Sequence, residues 1–213
     1  MTWSLNEIEA LSRKAARGAG YSWGLAEDTG KAVRWLESHA LPGAAALAAH
    51  LHAGDGQALS DQTPRPEIDA WTAPKGSICP ILAGTMLADG TAAPHGAPLT
   101  LTNVRAPLLL LPFLSWMAQS QGRPVGLDLS DAAITLTCDG ELTKSAPIPA
   151  LNAASLSLRF DAMAEDQTLP AGLRSACGTD TVAALNAFAA RTYAPSTEES
   201  RLAGAGAGLS DND

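Results

Sequence analysis

Two segments, one near each end of the chain, gather charged, aromatic and glycine residues as a small-molecule site does. The first runs Lys14-Ala15-Ala16-Arg17-Gly18-Ala19-Gly20-Tyr21-Ser22-Trp23-Gly24, with Glu27 and Asp28 just beyond it. Glycines at a helix start leave backbone N–H groups uncovered, and those amides hold anions with the help of the helix dipole. Arg17 and Lys14 add positive charge, and Tyr21 and Trp23 can wall the apolar part of a ligand. The plainer reading is a helix corner whose glycines only permit positive φ.

The second segment begins at Arg191-Thr192-Tyr193 and continues through Glu198, Arg201 and the alternating Gly204, Gly206 and Gly208 to Asp213. Such a tail can fold over a site and offer a nest of backbone donors; its plainer reading is a solvated terminus. It is not a dinucleotide fingerprint, because Leu209 stands where GxGxxG needs glycine. If the two segments meet, Arg17, Gly18, Gly20, Trp23, Tyr193, Arg201, Gly204, Gly206 and Gly208 bind a small anionic metabolite. Glu27 or Glu198 then moves a proton.

Other residue types carry less. His50-Leu51-His52-Ala53-Gly54-Asp55 has metal-ligand chemistry, but residues two apart on a helix point to opposite sides, so no metal site is expected. Cys177 stands just before a helix start, where the dipole can lower a thiol pKa, yet no histidine neighbours it in sequence and an idle thiol is the better reading. Cys79 and Cys138 read as structural. No GxSxG, HExxH or SxxK arrangement occurs, and no cofactor is named by any motif.

The elements that position these residues follow from periodicity. Ser4 and Glu7 form a capping box ahead of a helix over residues 4–17. Ser22 caps a second helix with Leu25, Thr29, Ala32, Val33 and Leu36 inward, and a third spans Ala44–His52. Short turns make these an antiparallel helical layer, residues 1–52. Residues 53–97 read as an irregular connection with one short strand near Ile78–Leu87. Residues 98–175 alternate: Leu99 and Leu101; then Val125, Leu127 and Leu129; then Ile134 and Leu136 before Asp139-Gly140; then Leu156, Leu158 and Phe160. A buried helix starts near Pro107 or Pro112 between them. This is a mostly antiparallel sheet. Residues 176–213 form a helix capped at Thr179 or Asp180, with Val182, Leu185, Phe188 and Ala189 inward, a second capping box at Ser196 and Glu199, and the glycine-rich tail. The whole, 1–213, reads as one domain of α+β class.

Composition narrows the partners. With 14 basic and 22 acidic side chains the net charge is −8, which repels nucleic acid and anionic membrane. The longest apolar run, 106–117, is broken by Pro107, Pro112 and Ser115 and is too short to span a bilayer. Three scattered cysteines without CxxC, and no signal peptide at the amino terminus, point to a cytoplasmic, reducing setting.

The pattern Arg17-Gly18-Ala19-Gly20 with Trp23-Gly24 and Glu27, together with Thr192-Tyr193-Ala194-Pro195 through Gly204–Gly208 to Asp211-Asn212-Asp213, resembles a bacterial family of uncharacterised proteins. That family is a domain of unknown function found mainly in proteobacteria. The resemblance implies a bacterial, cytosolic setting and no activity. Two functional readings therefore stand: a small-molecule binding protein or catabolic enzyme, and a non-catalytic partner subunit or self-assembling protein. In the second, alanine-rich helices and exposed tryptophans at 3, 23, 35, 71 and 116 form an interface.

Overall fold

The computed structural model describes residues 2–90, 98–129, 132–148, 153–165 and 167–193. The chain opens with strand β1 (Trp3–Ser4) and helix α1 (Leu5–Gly18). The capping box is present: the Glu7 N–H donates to the Ser4 hydroxyl at 3.2 Å and the Ser4 N–H to the Glu7 carboxylate at 2.8 Å. Helix α2 (Trp23–Ser38) is capped by Ser22 and packs along α1, where Gly30 lets its backbone approach Glu9 and Arg13. Helix α3 (Gly43–Gly54) completes the amino-terminal layer.

Residues beyond α3 depart from the expected irregular connection. Helix α4 (Leu59–Gln62), strands β2 (Arg65–Pro66) and β3 (Ala70–Thr72), and helix α5 (Pro80–Ala88) lie here. The expected strand at Ile78–Leu87 is a correction: Ile78 bridges Val104 in parallel, Cys79 is extended as the N-cap, and from Pro80 the chain is helical. Proline at the first helical position has its φ preset and no N–H to satisfy. Ile81, Ala83, Gly84 and Leu87 then turn inward at helical spacing. A short apolar run without polar punctuation hides that period.

Strand β4 (Leu99–Arg105) is followed by a 3-10 turn (Pro107–Leu110) and helix α6 (Leu111–Gln121), so both prolines start helical turns. Strands β5 (Val125–Leu129), β6 (Ala132–Leu136), β7 (Leu142–Lys144), β8 (Ala153–Phe160), β9 (Gln167–Leu169) and β10 (Arg174–Ser175) come next. Helix α7 (Thr179–Ala189) and a 3-10 turn (Ala190–Thr192) close the described chain. The α7 N-cap is Gly178 rather than Thr179 or Asp180, and no side chain caps it; Asp180 complements the dipole from inside the first turn. The Ser196–Glu199 capping box lies outside the described residues.

The larger sheet runs β2-β3-β4-β8-β5-β6-β7-β9, antiparallel throughout except for the parallel β3–β4 pair, while β1 and β10 form a separate ribbon. Its register puts Leu99 opposite Leu158, Leu101 opposite Leu156, and Leu127 between Leu158 and Ile134, so one face is apolar. Thr100, Ser157 and Asp128 align on the other face. Helix α6 touches β5 and β6 on one side and α2 and α5 on the other, which is why it is buried nearly all round. Helices and an antiparallel sheet segregate in this way in the α+β class.

The tryptophans do not form an exposed face. Trp71 is fully buried and Trp3, Trp35 and Trp116 pack partly against the core; Trp23 alone of the five is 70% exposed. With so few aromatics available, the core uses these large rings to fill volume between leucines and alanines. Among the described residues no helix is long and apolar enough to cross a membrane.

Candidate functional site

The glycine corner closes α1 against the start of α2. Gly20 takes φ +96°, and the Arg17 guanidinium donates to the Tyr21 carbonyl and lies 4.5 Å from the Trp23 ring centroid. Arg17 and Trp23 thus meet, but each engages the other at the outer edge of the corner. Glu27 is exposed one turn further along α2. Gly18 has a packing role: a side chain there would collide with the Phe188 carbonyl of α7. That close approach brings the carboxy-terminal helix onto the corner.

Arg191 then anchors the end of α7. Its guanidinium donates to both Asp55 carboxylate oxygens, at 2.7 and 2.8 Å, and lies over the Phe188 ring. The described parts of both ends therefore converge, as far as the exposed Tyr193. Glu198, Arg201, Gly204, Gly206 and Gly208 lie outside the described residues.

Beneath this junction is a narrow pocket lined by Ala19, Tyr21, His50, Asp55, Gln57 and Gln62, among others. Its enclosed space is about 10 Å3, enough for one water-sized group. Tyr21 points inward from the corner and His50 from α3, and Cys79 stands at the N-cap of α5. The Tyr21 Oη lies 2.8 Å from His50 Nε2 and 3.2 Å from Cys79 Sγ, and Sγ lies 3.6 Å from Nε2. In either imidazole tautomer His50 Nδ1 is buried with no partner among the described residues.

Burial sets the protonation of this trio. It lowers the His50 pKa to about 3, with the Arg105 charge adding to the effect. It raises the Tyr21 phenol far above its ordinary value, the Cys79 neighbour adding to the rise. It also raises the Cys79 thiol, although the Tyr21 hydroxyl and the backbone N–H groups of Leu82 and Ile81 oppose the shift. At neutral pH the three are an uncharged phenol, imidazole and thiol.

Arg105 supplies the charge. It is 7% exposed, and its three nitrogens donate to Ser77 Oγ at 3.0 Å, Gln62 Oε1 at 3.1 Å and Gln57 Oε1 at 3.0 Å. All three acceptors are neutral, and no carboxylate lies within 4.0 Å among the described residues. A side chain on Gly54 would collide with Arg105 Nη1, so the guanidinium sits directly under the pocket wall. The backbone reaches this position through left-handed residues on either side, Asn103 at φ 54° and Ala106 at φ 45°. A register shift in β4 between Leu101 and Val104 accompanies them. Strain of this kind is held where the surroundings over-determine it.

The two histidines between Leu47 and Asp55 part ways. His52 turns away from His50 and packs edge-on against Phe188 at 5.1 Å. Among the described residues no three His, Cys, Asp or Glu side chains converge on one point. One cysteine expectation needs correction: Cys138 is exposed, because β6 ends at Leu136 and the turn turns it outward. The Cys177 pKa is raised, by burial first and the Glu37 charge second, in keeping with an idle thiol.

Sequence reasoning placed Tyr21 at a ligand's wall but weighed His50 only as a metal ligand and Cys79 as structural, and it passed over Arg105. The available signals were a cysteine directly before a helix-starting proline, and an arginine set in the apolar run Val104-Arg105-Ala106-Pro107-Leu108. Residues 3–78 match the profile of a family described as protein of unknown function (DUF3726). The match spans the corner, α3 and Ser77; Cys79 and Arg105 lie past it. No curated protein matches the chain.

Proposed function

We propose that this protein binds a small anionic molecule at the pocket beneath the glycine corner, with His50 and Tyr21 as neutral hydrogen-bonding groups at its wall. The observation that carries the reading is Arg105, a buried cation with no carboxylate partner among the described residues, set against a pocket wall. Isolated buried charges are costly, and proteins pair them or neutralise them. An arginine has no practical route to neutrality. An incoming carboxylate or phosphoryl group supplies negative charge across the wall formed by Gly54, Gln57 and Gln62, and the narrow pocket admits a single oxygen of it.

His50 stays neutral in this reading: with Nε2 accepting from the Tyr21 hydroxyl, its unpartnered Nδ1–H is a donor for the anion. Arg17 and Trp23 form the outer wall. Glu198, Arg201, Gly204, Gly206 and Gly208, which lie outside the described residues, and the exposed Glu27 are proposed to contribute to the same site. The setting we propose is the bacterial cytosol, where Cys79, Cys138 and Cys177 remain thiols, as all three are here.

A thermal-shift panel of small carboxylates, phosphate and sulfate tests this. A true ligand at a hundredfold its dissociation constant stabilises the protein by about 2.7 kcal/mol. The same ligand should bind at least about tenfold more weakly to Arg105→Lys, which keeps the charge and loses the fork. If no anion shifts the wild type, or the best one shifts Arg105→Lys equally, the reading fails.

A further inference from the structure

At the opposite end of α3 lies a second cavity, of about 250 Å3, bounded by the end of α2, the first turn of α3 and the approach to α7. Leu41, Pro42 and Ala45 give it apolar walls, and Glu37, Arg174 and Thr181 give it polar ends. Glu37 is 7% exposed. Its carboxylate accepts the Ala44 N–H at 2.9 Å and the Ser175 hydroxyl at 2.7 Å. Both donors are neutral, and no Lys, Arg or His nitrogen comes within 4.0 Å of it among the described residues. Each carboxylate oxygen keeps a free lone pair, since a carboxylate accepts about four bonds.

Positive character faces the same space from elsewhere. Gly178 and Thr181 line it at the start of α7, where no side chain caps the helix; Arg174 also lines it, with its guanidinium donating to the Thr2 hydroxyl at 3.2 Å and the Thr2 carbonyl at 3.4 Å. A ligand that satisfies this arrangement has a cationic head for Glu37, an anionic head for the uncapped start of α7, and a small apolar body for the Leu41–Pro42 wall. Ammonium and carboxylate on one short carbon frame meet all three requirements.

We infer that the cavity between α2, α3 and α7 is a binding site for a zwitterionic α-amino acid with a small apolar side chain, its ammonium group held by Glu37. The inference is independent of the corner pocket, which uses the other end of α3. The volume, a little below the roughly 300–1,000 Å3 of drug-sized ligand pockets, suits alanine- to valine-sized molecules. The thiol of Cys177 forms part of the wall; burial keeps it protonated, so it competes with no ligand charge.

The test is calorimetric titration of the full chain with alanine and valine, and with propylamine and propionate as amine-only and acid-only controls. Binding by the amino acids and a heat at least about tenfold weaker in affinity for either control is expected, since each charged hydrogen bond lost costs about one decade or more. Glu37→Gln, which keeps the Ala44 contact, should weaken alanine binding by about tenfold or more on the same grounds. Ala45→Trp, an exposed rim position, should abolish binding by filling the cavity while the protein remains folded. Absence of binding to both amino acids, unchanged affinity in both variants, or propylamine binding as tightly as alanine overturns the assignment. Anion binding at the corner pocket should be untouched by Ala45→Trp, which separates failure here from failure there.

Discussion

Replacing His50 by glutamine should remove a specific part of the protein's acid sensitivity. The imidazole is 1% exposed, and burial together with Arg105 holds its pKa near 3 against an ordinary 6.5. Unfolding returns it to water, so between those two values the unfolded chain binds a proton that the folded chain refuses. The contribution to stability is complete above pH 6.5 and is lost as the pH falls towards 3. At 1.36 kcal/mol per pH unit, the loss between about pH 8 and about pH 5 is about 2 kcal/mol from this group alone. Urea unfolding followed by tryptophan fluorescence at those two pH values, on wild type and His50→Gln, isolates it, because the carboxylates common to both proteins cancel. His50→Gln should be the less stable protein near pH 8, having lost the fitted contact to Tyr21, yet should lose about 2 kcal/mol less than wild type on acidification. Equal acid losses in the two proteins would show that His50 is not buried in its neutral form, and the account of the trio would collapse with it.

Three further outcomes follow from packing and exposure. Gly18→Ala drives a methyl group into the Phe188 carbonyl and should destabilise by about 1–3 kcal/mol or more, with the loss of α7 contacts visible as faster amide exchange in residues 179–189. Leu127→Ala, at the fully buried centre of the sheet's apolar face, should cost about 2–5 kcal/mol in chemical denaturation; a smaller cost would mean that face collapses readily. A neutral thiol reagent should label Cys138 first, Cys177 more slowly and Cys79 only at the rate of unfolding, read by mass spectrometry of the peptides; Cys79 labelling as fast as Cys138 would contradict the burial of the trio.

Much of the framework is legible in local pattern. The Ser4–Glu7 box, the Ser22 cap, the alternation along β4, β5, β6 and β8, and the inward set of α7 depend on residues within one or two turns of each other, where capping and periodicity act. α5 was hidden because a short apolar run fits strand and helix equally, and only its seat against Phe113, where Gly84 admits the ring, decides the matter. The tryptophans show the same limit: composition says that five large rings exist, and packing says that four of them are at least partly inside.

The sequence by itself determined the α+β pattern, the acidic balance and the glycine corner, since each is a property of neighbouring residues or of a sum. Tertiary structure decided that Tyr21, His50, Cys79 and Arg105, spread over 85 positions of chain from 21 to 105, share one buried polar cluster. It also decided that Glu37 faces a separate cavity. Spacing along the chain has no bearing on such encounters, because they depend on which surfaces α3, α5 and β4 bury against one another. A histidine or arginine acquires its altered chemistry only when that burial takes the water away.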